Sequence, residues 1–274
     1  MKNRRLMKIP IYLMMVLVIS CSVSRDNNRS FFFIQVTDPQ FGFISNNKGI
    51  NEETILYEKA VAKINLMDPA FVVITGDLVN DKSSKSQWDE FRRITELIKP
   101  EIKVYVLPGN HDIGQNPEVK DLEFYKTMFG YDRFSFNNKK VSFIGFNSSL
   151  VKAETHVLVD EQFDWLQREL DRNKKAKLTV LFCHHPLFIK DPAEPENYSN
   201  IKPEIRQKYL DLFTQYGVDA LFSGHLHYNA SGKYAETDFV ITSAVGKQLA
   251  NAPSGFRVIY IEGNKIRHEY IPVE

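Results

Sequence analysis

The sequence has little of what marks the more specialised classes of protein. Its 274 residues include only 13 glycines and 12 prolines, which excludes a collagen-like or low-complexity chain. The formal net charge is +1, so there is no basic excess of the kind that coats nucleic acid polymers. The chain is, however, 43% hydrophobic, which is enough to bury the core of one large domain or two small ones.

Cysteine is also scarce, with Cys21 and Cys183 as the two examples. If Cys21 carries a modification, Cys183 is left alone and no intramolecular disulfide can form. Cys183 ends the run Leu-Thr-Val-Leu-Phe-Cys, which has the pattern of a buried strand. We therefore expect Cys183 to be a small core residue.

Long hydrophobic runs are missing as well. The longest uncharged and mainly apolar stretch covers residues 9–19, which is short of the about 20 residues that a membrane-spanning helix needs. It follows a basic cluster made of Lys2, Arg4, Arg5 and Lys8. A basic cluster followed by a short apolar run is typical of a secretory signal.

The end of this segment, Val18-Ile19-Ser20-Cys21, resembles the lipobox of bacterial lipoproteins. The resemblance implies a signal peptide over 1–20, lipidation of Cys21, a polar tether over 21–30 and attachment to the membrane of the cell envelope. Ser22 follows in place of the Asp that is associated with inner-membrane retention in some bacteria, which favours the outer membrane, facing the periplasm. An uncleaved anchor and a plain cleaved signal are the alternatives.

From residue 31 the pattern is that of one α/β domain over 31–274. Strands are predicted over 31–37, 71–75, 104–107, 141–146, 178–183 and 220–223. Helices are predicted over 51–67, 86–98, 161–170 and 203–216, and several further strands over 233–273. Alternation of strand and helix favours a sheet with helices on its faces.

One long stretch, between Ile189 and Lys202, has neither a helical nor a strand pattern. Loops of this length in compact domains are uncommon, and many of them are functional. The stretch is interpreted either as a lid over a site, with Tyr198 as the residue of interest, or as a solvated surface loop.

Five predicted strands end in polar side chains that ordinary turns do not need. These are Asp38 and Gln40, Asp77, Asn110 with His111 and Asp112, His184 with His185, and His225 with His227. Binding sites of α/β sheets form outside the carboxyl ends of the strands, so these groups can converge. Carboxylates, amides and imidazoles together are the ligand set of a dinuclear transition-metal site.

The motifs Asp-x-Gln, Gly-Asp, Gly-Asn-His-Asp, His-x-Pro and Gly-His-x-His resemble those of the calcineurin-like metallophosphoesterase superfamily, in order and in spacing. They run from Asp38 to His227, so the resemblance covers nearly all of the predicted mature chain. It is strongest to the branch of the animal serine/threonine phosphatase called complete S-transactivated protein. It implies a four-layer αββα sandwich.

The resemblance also implies a role for each matching residue. Asp77 would bridge two divalent or mixed-valence ions of Mn, Fe or Zn. Asp38, Gln40 and His227 would complete the shell of one ion, and Asn110, His184 and His225 that of the other. His111 would protonate the leaving group or bind the phosphate, and Asp112 would orient His111. His185 is left as a neighbour of His184 that either has a structural role or supports the ligands. His156 and His268 lie in no matched motif, and a surface or hydrogen-bonded role is expected for both.

Gln40 departs from the family pattern, which usually has histidine there. A neutral amide is a poorer ligand than imidazole for a borderline metal, so the ion beside Gln40 is expected to be looser or to prefer Mn or Mg over Zn. Glutamine also occurs at this position in a manganese-dependent branch that splits ADP-ribose and CDP-alcohols, so it does not imply a dead enzyme.

The function implied is hydrolysis of a phosphate ester by attack of a metal-bound water or hydroxide. A phosphomonoester is the favoured kind of ester. A small phosphate ester or a nucleotide is the favoured substrate outside the cytoplasm, and a phosphoprotein is the other candidate. One alternative is a diphosphatase or phosphodiesterase that acts on nucleotide-linked compounds. The other is a catalytically weak binding lipoprotein of the same fold.

Overall fold

The computed structural model describes residues 30–274 with the exception of Thr155. The predicted signal peptide and the lipidation of Cys21 lie outside the described residues, as do all but the last residue of the tether and the side chain of His156. Within the described part of the chain, no helix is both long enough and apolar enough to cross a membrane.

Eleven strands in the described residues form two sheets. They are β1 (Phe31–Val36), β2 (Phe71–Thr75), β3 (Lys103–Leu107), β4 (Phe134–Asn138), β5 (Val141–Gly145), β6 (Leu178–Phe182), β7 (Ala220–Ser223), β8 (Ala230–Tyr234), β9 (Thr237–Ile241), β10 (Gly255–Glu262) and β11 (Lys265–Pro272). The first sheet has the order β11-β10-β1-β2-β3 and the second β4-β5-β6-β7-β9-β8. Within them β1, β2 and β3 run parallel to one another, as do β5, β6, β7 and β9. The carboxyl ends of β1, β2 and β3 therefore share one edge of the first sheet, as those of β6 and β7 do in the second.

Seven helices connect these strands within residues 30–274, the part of the chain that the structure describes. They are α1 (Asn51–Met67), α2 (Lys85–Thr95), α3 (Asn110–Ile113), α4 (Val119–Phe129), α5 (Ser148–Lys152), α6 (His156–Arg172) and α7 (Pro203–Tyr216). The bounds of α7 follow from its sequence. Pro203 stands in the first turn, where its missing N–H costs nothing, and Gly217 ends the helix with left-handed backbone.

Among the described residues, the core is divided between three clusters of buried side chains. In β1, Phe33 and Ile34 point to opposite faces, as neighbours in a strand must. Phe33 packs between the two sheets, with its ring 4.8 Å from that of Phe71 and 5.3 Å from that of Phe143. Ile34 belongs instead to the cluster that holds α1 and α2, while a third cluster holds α7 against the second sheet. Each fully buried phenylalanine stabilises the fold by roughly 1.5–3 kcal/mol.

Two sheets face to face with helices on both outer faces form the four-layer αββα sandwich, so the predicted fold is confirmed. The bounds of β2, β7, α1 and α7 match the prediction, and Cys183 is a buried core residue as expected. Helix α2 ends at Thr95 rather than at Ile98, because the next backbone N–H groups, those of Leu97 and Ile98, donate to carbonyls three residues back instead of four. Strand β4 and helices α3, α4 and α5 were not predicted.

Candidate metal centre

The residues predicted to carry the chemistry lie where the two sheets present the carboxyl ends of their strands. Asp38 follows β1, Asp77 follows β2 and Asn110 follows β3, while His184 follows β6 and His225 follows β7. The loops are joined directly, because the backbone N–H of Asp38 donates to the carbonyl of Gly76 at 3.1 Å. The Gly224 N–H donates in the same way to the carbonyl of His184 at 3.0 Å. The sequence positions are thus brought into one buried cluster.

His184 stands at the centre of one half of this cluster. Its Nδ1 lies 2.9 Å from the carbonyl of Thr75, which can only accept, so the ring hydrogen sits on Nδ1. The bare Nε2 then faces the Asp77 Oδ2, the Asn110 Oδ1 and the His225 Nδ1 at 3.2, 3.2 and 3.1 Å. Several lone pairs converge on one point, which is favourable only if a cation occupies it.

The pKa values of this half give the same picture. Burial lowers the pKa of His184, but the charge and hydrogen bond of Asp77 outweigh it and raise the value to about 9. Burial raises the pKa of Asp77, yet the charge and hydrogen bond of His184, together with the charges of the neighbouring histidines, outweigh it and hold this pKa far below its usual range. Burial and the positive charge of His184 lower the pKa of His225 to about 3. The opposite shifts of His184 and Asp77 mean that positive charge is favoured where their ligand atoms meet, and a bound metal ion would supply that charge.

The second half of the cluster is built around Asp38. Its Oδ2 accepts hydrogen bonds from the Thr37 hydroxyl at 2.6 Å and from the backbone N–H of His225 at 3.0 Å. Its Oδ1 is buried without a hydrogen-bond donor and lies 3.4 Å from the His227 Nε2. The Nδ1 of His227 is held by the carbonyl of Lys247, so Nε2 is the nitrogen left for a ligand.

The two amide atoms of Gln40 also differ in their contacts. Its Nε2 donates to the Asn80 Oδ1 at 3.2 Å, while its Oε1 is buried without a partner. The oxygen is therefore the atom that Gln40 offers. Carboxylate and amide oxygens beside an imidazole fit a hard or borderline divalent ion.

The donor set therefore fits two cations. Ligand atoms of Asp38, Asp77 and His184 lie within 4.8 Å of one another, and so do those of His184, His185 and His225. In the half around Asp38, the Asp38 Oδ1 and the Gln40 Oε1 are buried polar atoms without a partner, and their desolvation is otherwise uncompensated.

The backbone of the centre is strained at the residues that matter. Left-handed backbone is found at five of the seven predicted ligands, which are Asp38 (φ 51°), Gln40 (φ 38°), Asp77 (φ 47°), His225 (φ 71°) and His227 (φ 54°). Such conformations cost about 1–3 kcal/mol each outside glycine and concentrate at functional sites. The surrounding sheets hold the ligands in place at the expense of local stability.

Glycines in the motifs allow this close packing. A Cβ at Gly76 would lie 2.8 Å from the His184 Nδ1 and 2.7 Å from the backbone N of Gly109, and its φ of +88° also favours glycine. A Cβ at Gly224 would overlap the hydroxyl of Thr37 and lie 2.6 Å from the Asp38 Oδ2. Any side chain at these two positions would displace predicted ligands.

His111 lies beside the predicted metal ligands. Its backbone N–H donates to the Asp77 Oδ1 at 2.9 Å, and its Nδ1 lies 2.9 Å from the carbonyl of Asn80. Because a carbonyl only accepts, the Nδ1 carries a hydrogen and the Nε2 is the atom available to a substrate.

Asp112 is placed differently from the sequence prediction. Its Oδ1 accepts from the backbone N–H groups of Leu78 and Val79 at 2.8 and 3.2 Å, and its Oδ2 from that of Gly109 at 2.7 Å. The hydrogen-bond partner of the His111 ring is the Asn80 carbonyl, so the predicted orienting contact between Asp112 and His111 is corrected. Asp112 clamps two motif loops together, because a carboxylate can accept from several amides at once.

Sequence reasoning did not single out the groups that orient the ligands. Backbone carbonyls of Thr75, Asn80 and Lys247 fix His184, His111 and His227. Backbone atoms leave no signature in side-chain patterns, so these partners could not be read from the sequence. The ring of His185, in contrast, is fully buried with both nitrogens unpartnered and lies 4.3 Å from the ring of His225. His268 lies outside the centre, on β11, where its Nδ1 is 2.9 Å from the Arg257 Nη1.

Comparison with known proteins gives three consistent results. A family model described as Calcineurin-like phosphoesterase matches residues 33–229. The serine/threonine-protein phosphatase CPPED1 of Rattus norvegicus is 32% identical over 274 aligned residues, which cover 93% of this chain and 88% of the rat protein. The human protein of the same name is 34% identical, over 89% of this chain and 84% of its own.

More distant relatives extend these results. A probable glycerophosphodiester phosphodiesterase of Arcobacter nitrofigilis is 30% identical over 71% of each chain. Among solved structures, a dimetal phosphatase of Danio rerio aligns with a TM-score of 0.66 at 13% identity, over 89% of this chain and 96% of its own. At that identity the structural likeness shows the fold alone.

Proposed function

Because the chain belongs to the calcineurin-like phosphoesterase family, we propose that it is a phosphatase that hydrolyses phosphomonoesters with two divalent metal ions. The family, the fold and the hydrolase class predicted from the motifs are all confirmed. The observation that carries the finer proposal is the convergence of lone pairs from His184, Asp77, Asn110 and His225 on one point.

Each residue would hold the metals through an atom that its other contacts leave free or that faces the other ligand atoms. Asp38 Oδ1, Gln40 Oε1 and His227 Nε2 would bind one ion. Asn110 Oδ1, His184 Nε2 and His225 Nδ1 would bind the other, with Asp77 between them. Two bound ions would activate a water molecule at neutral pH and would neutralise charge on the phosphoryl oxygens.

His111 then acts on the leaving group. With its Nδ1 hydrogen held by Asn80, its Nε2 delivers a proton to the ester oxygen: the Nε2–H bond breaks, an O–H bond forms on the departing alcohol, and the ring becomes neutral. Asp77 holds the His111 backbone at 2.9 Å, so the acid keeps its position relative to the metals.

Gln40 influences the choice of metal. An amide oxygen is a harder and weaker ligand than imidazole, so the ion on the Gln40 side is proposed to be Mn or another hard ion, bound less tightly than its neighbour. Fe and Zn are the other candidates for the pair.

The substrate is proposed to be a small phosphate ester or a nucleotide. The rat relative carries the name of a serine/threonine-protein phosphatase, which makes a phosphoprotein the second candidate. The Arcobacter relative is named as a phosphodiesterase, which keeps hydrolysis of diesters or of nucleotide-linked diphosphates as an alternative.

A panel of esters tests this proposal. The full-length protein is assayed with p-nitrophenyl phosphate, bis(p-nitrophenyl) phosphate, ADP-ribose and a phosphopeptide, with Mn, Fe, Zn and Mg added separately. We expect the highest kcat/KM on the monoester and Mn among the best activators. Preference for the bis-ester or for ADP-ribose would contradict the monoesterase and favour the diesterase or diphosphatase. Absence of turnover with every ester would favour a binding lipoprotein.

Membrane attachment is proposed from the sequence. The run Val18-Ile19-Ser20-Cys21 behind a basic, apolar segment supports lipidation of Cys21, and the polar residues up to 30 would then connect the lipid to β1. The catalytic domain would then be anchored to a membrane of the bacterial envelope. The favoured location is the periplasmic side of the outer membrane.

Replacing Cys21 with serine tests the attachment. Because acylation needs the cysteine thiol, the Cys21→Ser protein is expected to stay as an unprocessed precursor without lipid. Cys183→Ser serves as the matched control, since Cys183 is buried in the core and should not affect labelling. Incorporation of labelled fatty acid is the measurement, and an unlabelled wild-type protein would contradict the proposal.

A further inference from the structure

The loop between β6 and α7, residues 189–202, is firmly held although it contains no helix or strand. Arg206, on α7, has only 1% of its surface exposed and points into the loop. Its guanidinium donates to the carbonyls of Pro192 and Glu194 at 2.7 Å and to that of Ile201 at 2.7 and 3.1 Å. A buried arginine bound to three carbonyls fixes the path of both arms of the loop.

The carboxylate of Glu194 closes the turn from inside. It accepts hydrogen bonds from the backbone N–H groups of Ile189 at 2.7 Å, Lys190 at 3.2 Å and Asp191 at 3.4 Å, and from the Asn200 amide at 2.7 Å. These bonds join the beginning of the loop to its end. Tyr198 lies between Glu194 and Asn200, which these bonds hold, and its position is therefore defined.

Tyr198 is presented to the metal centre. Its ring centroid lies 5.1 Å from that of His225, and its hydroxyl lies 3.4 Å from the Asn110 Nδ2 and 3.3 Å from the Gln115 Nε2. His225 and Asn110 are both predicted ligands of the same ion. The side chain is nevertheless 59% exposed, so it stands at the open mouth of the site rather than in the core.

The hydrogen of the Tyr198 hydroxyl is left free by these contacts. Both neighbouring groups are amide NH2 groups, which donate and cannot accept, so the phenol oxygen is the acceptor in each bond. Among the described residues, no acceptor faces the hydroxyl hydrogen. Both bonds are long, so they hold the hydroxyl only weakly and leave it able to turn toward a ligand.

We propose that Tyr198 is a substrate-binding residue of the phosphatase site and that its hydroxyl donates a hydrogen bond to a phosphoryl oxygen of the bound ester. The inference rests on the proposed function, since it takes the phosphoryl group to lie beside Asn110. A phosphoryl oxygen is a strong anionic acceptor, so it would replace solvent as the acceptor of this hydrogen. The firmly held loop means that little ordering is needed when the ester binds.

A competing role would be to orient the amide of Asn110 for the metal. In that case loss of the hydroxyl would weaken metal binding and leave phosphate binding otherwise unchanged. Loss of the hydroxyl would thus lower the affinity for phosphate in the first role and the affinity for metal in the second. One variant can therefore distinguish the two roles.

The test uses Tyr198→Phe in the full-length protein, with inorganic phosphate as the probe. In the Mn-saturated protein we expect the inhibition constant of phosphate and the KM of p-nitrophenyl phosphate to rise about tenfold, which corresponds to about 1.4 kcal/mol. The Mn affinity is expected to stay within twofold of wild type. The matched control is Tyr234→Phe, whose hydroxyl bonds Gln207 on the surface, and which should change none of these values.

Two results would overturn the assignment of Tyr198. One is an unchanged inhibition constant for phosphate in Tyr198→Phe, and the other is a loss of Mn affinity that accounts for the whole loss of activity. Both require an active wild-type protein. A wild type that neither hydrolyses an ester nor binds phosphate would instead contradict the proposed function, and the assignment would fall with it.

Discussion

The Asp77→Asn protein is expected to lose more than 99% of its activity and to bind metal poorly at both positions. Asp77 is the carboxylate that faces the His184 Nε2 at 3.2 Å while holding the backbone of His111 at 2.9 Å. Asparagine has nearly the same shape as aspartate but lacks its negative charge. The two cations would therefore lose the carboxylate that is proposed to lie between them. A hundredfold loss of rate corresponds to about 2.7 kcal/mol of barrier.

The measurement is kcat/KM on p-nitrophenyl phosphate together with the metal content of the purified protein. Asp81→Asn is the matched control, because Asp81 lies in the same loop but bonds Ser83 at the surface. It should keep both metals and its activity. An Asp77→Asn protein that holds two ions and retains more than about a tenth of the wild-type rate would exclude Asp77 as the bridge.

The second large effect is expected at His111. Removing a general acid usually costs about 10²–10⁴-fold in rate, so His111→Ala should lose that much while keeping its metals. The loss should be larger for alkyl phosphates than for p-nitrophenyl phosphate, because nitrophenolate leaves without needing a proton. Rates on the two ester types, measured in parallel, give the comparison.

Two other histidines serve as references for this result. His184→Ala should lower the metal content and be partly rescued by excess metal, because His184 faces the other ligand atoms directly. His268→Ala should have little effect, since His268 lies on β11 beside Arg257. Equal losses of His111→Ala on both ester types would mean that His111 holds the phosphate and does not protonate the leaving group.

The strand ends were predictable because they carry two independent signals. Each buried strand is marked by an apolar run, and each is followed at once by glycine, proline or a polar side chain that a simple turn does not need. Asp38, Asp77 and His184 were found in this way, and the structure places them within 4.8 Å of one another. The layer count of the fold came from family resemblance, since alternation alone does not say how many sheets form.

Other features could not be predicted because they depend on contacts distant in sequence. Asp112 was expected to orient His111, yet it binds the backbone of Leu78 and Val79, which lie more than thirty residues earlier in the chain. Left-handed backbone at His225 and His227 could not be predicted either, because residues other than glycine rarely adopt it. The loop around Tyr198 gave no secondary-structure signal, because the bonds that hold it come from the side chains of Arg206 and Glu194.

Helix α4 was missed for a different reason. It has only two buried side chains, Leu122 and Tyr125, and a largely exposed surface that includes Val119 and Phe124. With so short an apolar face, the helical period is weak. Strand β4 is similar, since only Phe134 in it is buried.

The central claim, that this centre hydrolyses phosphate esters with two metal ions, is tested most directly by a metal titration. Metal-free full-length protein is titrated with Mn while bound metal and the rate of p-nitrophenyl phosphate hydrolysis are measured together. We predict no measurable turnover without metal and a maximum rate when two ions are bound per chain. Full activity in the metal-free protein, or two bound ions with no turnover of any phosphate ester, would contradict the claim.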